Sequence, residues 1–299
     1  MTHPTAAAPT LDAIARPSGA LAMVAMDQRE SLRTMFDQAG AGRPDHATLV
    51  DFKVAVARAL SPLASGFLID REMGVEQAAP LLPASCGLIL AADALEQEPG
   101  GPVEETGLDD VVVAPESDLH GAVALKLLVI WRRDARRERR VELARRFVEV
   151  AASRGVLSVL EPVVRATPEE LAAGTWDQEA AIAEAARELS PLGPSLYKVQ
   201  VPLGGRAPAA ELERACATLG ESITGPWVVL SQGVDREDFA GAVRAACRGG
   251  ASGFLAGRAL WSDVVGRPDV PAALAEVSVP RLRALVELVD AEARPWSAA

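Results

Sequence analysis

The chain alternates between short, continuous apolar runs and longer stretches with helical spacing. The apolar runs are Ala20–Met26, Ser65–Ile69, Gly87–Ala91, Ala122–Ile130, Val156–Leu160, Pro194–Pro202, Trp227–Leu230 and Gly253–Ala256. Most are apolar at successive rather than alternate positions, the pattern of strands buried on both faces of a parallel sheet. Between them, helical periodicity predicts helices over Ser31–Gln38, Ala47–Leu60, about Asp134–Arg154, about Asp177–Leu189, around Ala209–Leu219 and about Arg236–Arg248. A last amphipathic segment covers Val279–Ala293.

Eight strands alternating with helices in 299 residues predict one α/β domain, a (β/α)8 TIM barrel with a C-terminal extra helix. Residues 1–15 are expected to be a mobile leader and 16–299 the barrel. A doubly wound sheet is the competing architecture, but it normally carries a glycine-rich turn after its first strand. Here that strand runs into D-Q-R-E (27–30), and no G-x-x-x-x-G-K occurs. One region breaks the alternation: Glu96–Leu119, rich in Glu, Asp, Gly and Pro, predicts an excursion with a short strand at Val111–Val113. It serves either as a lid or as a solvated surface loop.

Composition sharpens the picture at one point. Lys and Arg together number 30, and only three are lysines: Lys53, Lys126 and Lys198. Two of the three stand inside strand-like apolar runs. Burying an ammonium group disfavours its charged form, so a lysine in such a run can become the neutral amine that attacks a carbonyl; arginine has no comparable route. The net charge of −11 argues against nucleic acid as a partner. Runs such as Arg132-Arg133 and Arg136-Arg137 are interleaved with Glu138 and Glu142 and read as an ion-paired helix face. Cys86, Cys216 and Cys247 are odd in number and scattered, so reduced, structural thiols are expected. Neither a secretory signal nor an uncharged membrane-length run is present, which predicts a cytoplasmic protein without membrane partners.

Parallel barrel strands all end at one face, so residues far apart in sequence converge there. The strand ends offer Asp27, Asp70, Lys126, Glu161, Lys198, Ser231 and Arg258. Singly, each has a plain structural use: Asp27 or Asp70 as a helix cap, Ser231 in a turn, Arg258 as a surface charge. Together, two lysines flanking a glutamate on successive strands point to imine chemistry. Lys198 would attack a ketone, Glu161 would shuttle protons, and Lys126 would keep Glu161 ionised. Asp27 would orient hydroxyls or take the proton that starts cleavage, a role it shares with Glu161 as a candidate. The S-Q-G and A-G-R segments supply backbone N–H groups and an arginine for a phosphate, through Ser231, Gly233, Gly257 and Arg258, with Gln28 and Asp70 as further substrate contacts. An imine needs no cofactor, and no H-E-x-x-H or Cys/His cluster indicates a metal.

The blocks A-M-D-Q-R-E (25–30), L-S-P-L-A-S (60–65), A-L-K-L-L-V (124–129), L-E-P-V-V-R (160–165), L-Y-K-V (196–199), L-S-Q-G-V-D (230–235) and A-S-G-F-L-A-G-R-A-L-W (251–261) resemble the class I ketose-1-phosphate aldolases over nearly the whole chain. Within that family the resemblance runs to the 6-deoxy-6-sulfofructose-1-phosphate aldolases, with tagatose-1,6-bisphosphate aldolases as relatives. It implies Lys198 as the imine lysine, acid–base and electrostatic roles for Asp27, Lys126 and Glu161, and C1-phosphate binding by Ser231, Gly257 and Arg258. It implies a sugar phosphate carrying a second anion as substrate, with Arg29, Arg71, Arg165 and Arg206 as candidate partners for that anion. A homo-oligomer is expected. A non-catalytic sugar-phosphate-binding protein on the same scaffold is the alternative from another functional class.

Overall fold

The computed structural model describes residues 9–299. Ten strands form among the described residues: β1 (Leu21–Met26), β2 (Gly66–Ile69), β3 (Gly87–Ala91), β4 (Asp93–Glu96), β5 (Glu105–Leu108), β6 (Ala124–Trp131), β7 (Leu157–Val164), β8 (Leu196–Val199), β9 (Trp227–Val229) and β10 (Gly253–Ala256). Eight of them close a parallel barrel in the order β1-β10-β9-β8-β7-β6-β3-β2, and β4 and β5 pair as an antiparallel hairpin. The result is the (β/α)8 TIM barrel expected, with the helix Val279–Glu292 following the last barrel unit.

The parity of each strand sorts its side chains. Along β6, Leu125, Leu127, Val129 and Trp131 face the helix layer, while Ala124 joins the barrel interior with Val159 of β7 and Leu196 of β8. A lysine two residues after Ala124 therefore points inward too, and so does Glu161 two residues after Val159. The lower interior is closed by Leu21, Met23, Leu68, Ile89, Leu157 and Leu255. Below them Leu11 and Ile14, on a short 3-10 turn, seal the end of the barrel. Of the leader expected at residues 1–15, residues 1–8 lie outside the described residues. Gly87 is needed where that turn crosses, because a Cβ there would lie 2.2 Å from the Ala13 carbonyl oxygen.

Two local expectations are corrected. Strand β7 continues through Val164, so Glu161 and Pro162 lie within it, paired with Leu128 and Val129, rather than at its end. The excursion after β3 is an ordered hairpin, and Val111–Val113 belongs to a helical turn instead of a strand. The β-branched run reads as extended, but Asp109 caps the turn by accepting from the Val111 N–H at 2.9 Å, and Val112 is buried. The three cysteines are free and buried, and burial pushes each thiol up to about 12. No helix among the described residues is long and apolar enough to cross a membrane.

Candidate active site

At the C-terminal mouth of the barrel, a cavity of about 300 Å³ is lined by Asp27, Asp93, Lys126, Glu161, Lys198, Ser231 and Arg258, among others. Lys198 lies in β8, 3% exposed, and its Nζ is 2.6 Å from Glu161 Oε1. The other Glu161 oxygen, Oε2, is 2.8 Å from Lys126 Nζ, so one carboxylate bridges both lysines. Lys126 also donates to Asp27 Oδ2 at 2.8 Å and to Asp93 Oδ2 at 3.0 Å. A single buried ammonium thus meets three carboxylates, which accounts for all three of its N–H bonds.

The electrostatic consequences follow from this packing. Burial works against the charge of Lys126, but Asp27, Asp93 and Glu161 together hold its amine well above the ordinary lysine value. Burial also works against the charge of Asp27, and there the cations win: Lys126, then Lys198, hold its carboxyl well below the usual carboxylate range. Lys126 and Asp27 are therefore fixed charges at neutral pH. The three carboxylates converge on an ammonium group, and no group of three or more His, Cys, Asp or Glu among the described residues is arranged to hold a metal ion.

Sequence reasoning left Asp93 out of the ring. The signal was available, since Asp93 follows Ile89 and Ala91 at inward parity, two residues past the last inward side chain of β3. Its second oxygen accepts from Arg29 Nη2 at 2.9 Å, and its backbone carbonyl accepts from Arg29 Nη1 at 2.9 Å. Arg29 is thereby committed to the scaffold.

Asp70 does not line the cavity. It is fully buried; its carboxylate meets Lys53 Nζ, accepts from the Met73 N–H at 2.8 Å and lies 3.9 Å from Arg29 Nε. Burial pulls the Lys53 amine down, and Asp70 offsets this only in part. Asp70 and Lys53 thus support Arg29 from behind, where a substrate contact was expected. Gly233 also stands back from the cavity: its φ of +84° turns the chain after β9, and Ser231 and Gln232 form the lining instead. Gln28, Ser231, Gly257 and Arg258 do converge on one side of the mouth. Gly257 permits this, since a Cβ there would lie 2.6 Å from the Ala25 carbonyl oxygen and 3.1 Å from Gln28 Nε2. Buried Gln28 Oε1 has no partner, and the Arg258 side chain makes no ion pair or hydrogen bond among the described residues.

The hairpin closes the other side. Leu95, Gln97, Gly101, Pro102 and Val103 line the cavity, and Val103 packs against Ile130, Val163 and Leu230 at the rim. The region read as lid or surface loop is a cover seated on the mouth.

Residues 21–263 match the model of the DeoC/LacD family aldolases, which spans the first barrel strand through the last. The chain belongs to the DeoC/LacD aldolase family. This aldolase is similar to the tagatose 1,6-diphosphate aldolase of Listeria monocytogenes serotype 4a (strain HCC23), at 27% identity over 96% of this chain and 92% of that one. It is also similar to tagatose 1,6-diphosphate aldolase 1 of Streptococcus mutans serotype c, at 26% identity over 85% of each. In fold it is similar to the fructose-bisphosphate aldolase of Plasmodium falciparum solved with TRAP and a small-molecule inhibitor, with a TM-score of 0.67 at 16% identity over 93% of this chain and 94% of that one. Being an aldolase, the protein is a lyase, and the non-catalytic alternative gives way to an enzyme.

Proposed function

We propose that this aldolase cleaves a ketohexose 1-phosphate with a second anion at its far end, giving dihydroxyacetone phosphate and a three-carbon aldehyde, with Lys198 as the imine-forming nucleophile. The observation that carries this reading is the 2.6 Å contact of Lys198 Nζ with Glu161 in the cavity. Glu161 takes a proton from Lys198, and the free amine adds to the C2 carbonyl. The carbinolamine loses its hydroxyl as water after protonation by Glu161, leaving a cationic imine. The C4 hydroxyl proton then passes to Glu161 while the fixed charge of Asp27 orients the substrate hydroxyls, the C3–C4 bond breaks, and its electron pair moves into the iminium to give an enamine while the aldehyde departs. Protonation at C3 and addition of water return the lysine and release dihydroxyacetone phosphate. Lys126 holds the surrounding carboxylates in fixed positions through these steps, a preorganised charge that needs no rearrangement. Ser231, Gly257, Arg258 and Gln28 hold the C1 phosphate and its neighbouring hydroxyls.

The preferred substrate in this reading is 6-deoxy-6-sulfofructose 1-phosphate, released as dihydroxyacetone phosphate and 3-sulfolactaldehyde; the L-E-P-V-V-R block supports it. Tagatose 1,6-bisphosphate is the second reading, favoured by the names of the Listeria and Streptococcus relatives. The test compares cleavage of sulfofructose 1-phosphate, tagatose 1,6-bisphosphate and fructose 1-phosphate, with dihydroxyacetone phosphate measured in a coupled assay. Fastest cleavage of the sulfosugar, unchanged by EDTA and abolished in Lys198→Met, is the expected result. Preference for the bisphosphate would select the second reading, and activity retained in Lys198→Met would remove the imine.

A further inference from the structure

The four arginines that could face the far end of the substrate have different commitments. Arg29 is tied to Asp93 and Asp70. Arg71 pairs with Asp109 at 3.1 Å, and Arg206 pairs with Asp235 at 2.7 Å on the surface. Arg165 lines the cavity, makes no ion pair among the described residues, and keeps a buried Nε without any hydrogen-bond partner.

Its place in the barrel is informative. In strand order the mouth runs β10, β9, β8, β7, β6. Arg258 follows β10, Lys198 lies in β8, and Arg165 directly follows β7. The two arginines of the cavity that lack a partner therefore flank the lysine from opposite sides. The Arg165 N–H donates to the Trp131 carbonyl at 2.9 Å, which places it beside Arg132. Arg132 is already neutralised: its Nη2 lies 2.5 Å from Glu104 Oε2, and its Nη1 donates to the Glu104 carbonyl at 2.8 Å. Glu104 comes from the hairpin that covers the mouth. Burial disfavours the charge on Arg165, and the carboxylate whose charge acts against this is the same, already paired Glu104.

Resting on the imine reading above, we propose that Arg165 is the specificity-determining residue for the distal group, forming with the Arg132–Glu104 pair a subsite of one net positive charge that takes a tetrahedral monoanion. A sulfonate carries one negative charge and three acceptor oxygens, and one free guanidinium matches it in charge. A phosphate approaching two charges leaves one uncompensated beside the Glu104 carboxylate. Selectivity here comes from charge count, since the two groups are nearly the same shape.

The test measures kcat/KM for sulfofructose 1-phosphate, tagatose 1,6-bisphosphate and fructose 1-phosphate in three proteins. In Arg165→Gln, the sulfosugar loses about 10–100-fold, the range of one charge-assisted hydrogen bond, while fructose 1-phosphate, which lacks the distal anion, changes less than about twofold. In Glu104→Gln, the ratio of bisphosphate to sulfosugar rises about tenfold, because the repulsive carboxylate is gone and Arg132 is released. Equal losses on all three substrates in Arg165→Gln, or an unchanged ratio in Glu104→Gln, would overturn the subsite while leaving the imine reading intact. A wild-type enzyme that cleaves none of the three would overturn both.

Discussion

Replacing Lys126 by methionine removes the ammonium group that holds Asp27, Asp93 and Glu161 together while keeping much of the side-chain volume. In the wild type its Nζ lies 2.8, 3.0 and 2.8 Å from those three carboxylates, with 2% of the residue exposed. Removing one partner from a buried ionic cluster leaves uncompensated charge and costs about 3–5 kcal/mol. Taking about 2 °C per kcal/mol for a chain of this size, the melting temperature at pH 7 falls by roughly 6–10 °C. The sign of the pH dependence follows from the shifts. Asp27 is depressed, so its contribution is present above the ordinary carboxylate value of 3.8 and is lost as pH falls through its folded value. Lys126 is raised, so its contribution is complete below 10.5 and is lost only as pH rises past its folded value. In the variant the remaining carboxylates repel, and protonating them relieves the repulsion. The deficit relative to wild type is therefore largest from about pH 6 to 9 and shrinks toward pH 4. Melting curves of both proteins from pH 4 to 9 measure this directly. A variant within 2 °C of wild type at pH 7, or a deficit that grows on acidification, refutes the account of the cluster.

Three further outcomes are expected. With Arg258 in the proposed C1-phosphate site, Arg258→Gln is expected to raise KM about 10–100-fold for every ketose 1-phosphate whatever its distal group, the loss of one charge-assisted contact; steady-state kinetics on two substrates check this. Gly257→Ala forces a methyl group to within 2.6 Å of the Ala25 carbonyl oxygen and against Gln28. The displaced cavity wall at Gly257 and Gln28 is expected to lower kcat/KM by about 10–100-fold, and a variant with wild-type kinetics would show that the close approach carries no function. Lys53→Met strands the fully buried Asp70 and destabilises by about 3–5 kcal/mol, whereas Lys53→Met with Asp70→Leu loses less than the two single changes added together; a double-mutant cycle from denaturant titrations reads the difference.

The barrel was legible because its strands are short apolar runs with consistent spacing, and burial on both faces is what a parallel sheet requires. The lysine–glutamate core of the site was legible for a related reason: charge within such a run has few places to go except inward. Three features were not. Asp93 lies just past the end of β3 and looks like any polar residue after a strand, and only its parity with Ile89 and Ala91 marks it as inward. Asp70 has the same signature, yet Lys53 of the helix His46–Leu60 captures it, an encounter between elements that strand patterns do not encode. Lys53 does sit on the apolar face with Leu49, Phe52, Val56 and Leu60, so its burial was readable even if its partner was not. The hairpin β4–β5 was hidden by a composition rich in turn residues. Its order comes from Val103 seated on Ile130, Val163 and Leu230, and from ion pairs to the neighbouring helix Arg137–Ser153 such as Arg140 with Glu105.

Covalent attachment of substrate at one nitrogen is the central step of the proposed chemistry. Incubating the wild-type enzyme with dihydroxyacetone phosphate and borohydride, then mapping the modified peptide by mass spectrometry, tests that attachment most directly. One reduced three-carbon phosphate adduct per chain is expected, on Lys198 and absent from Lys198→Met. An unmodified chain, or an adduct on Lys126 or Lys53, would contradict it.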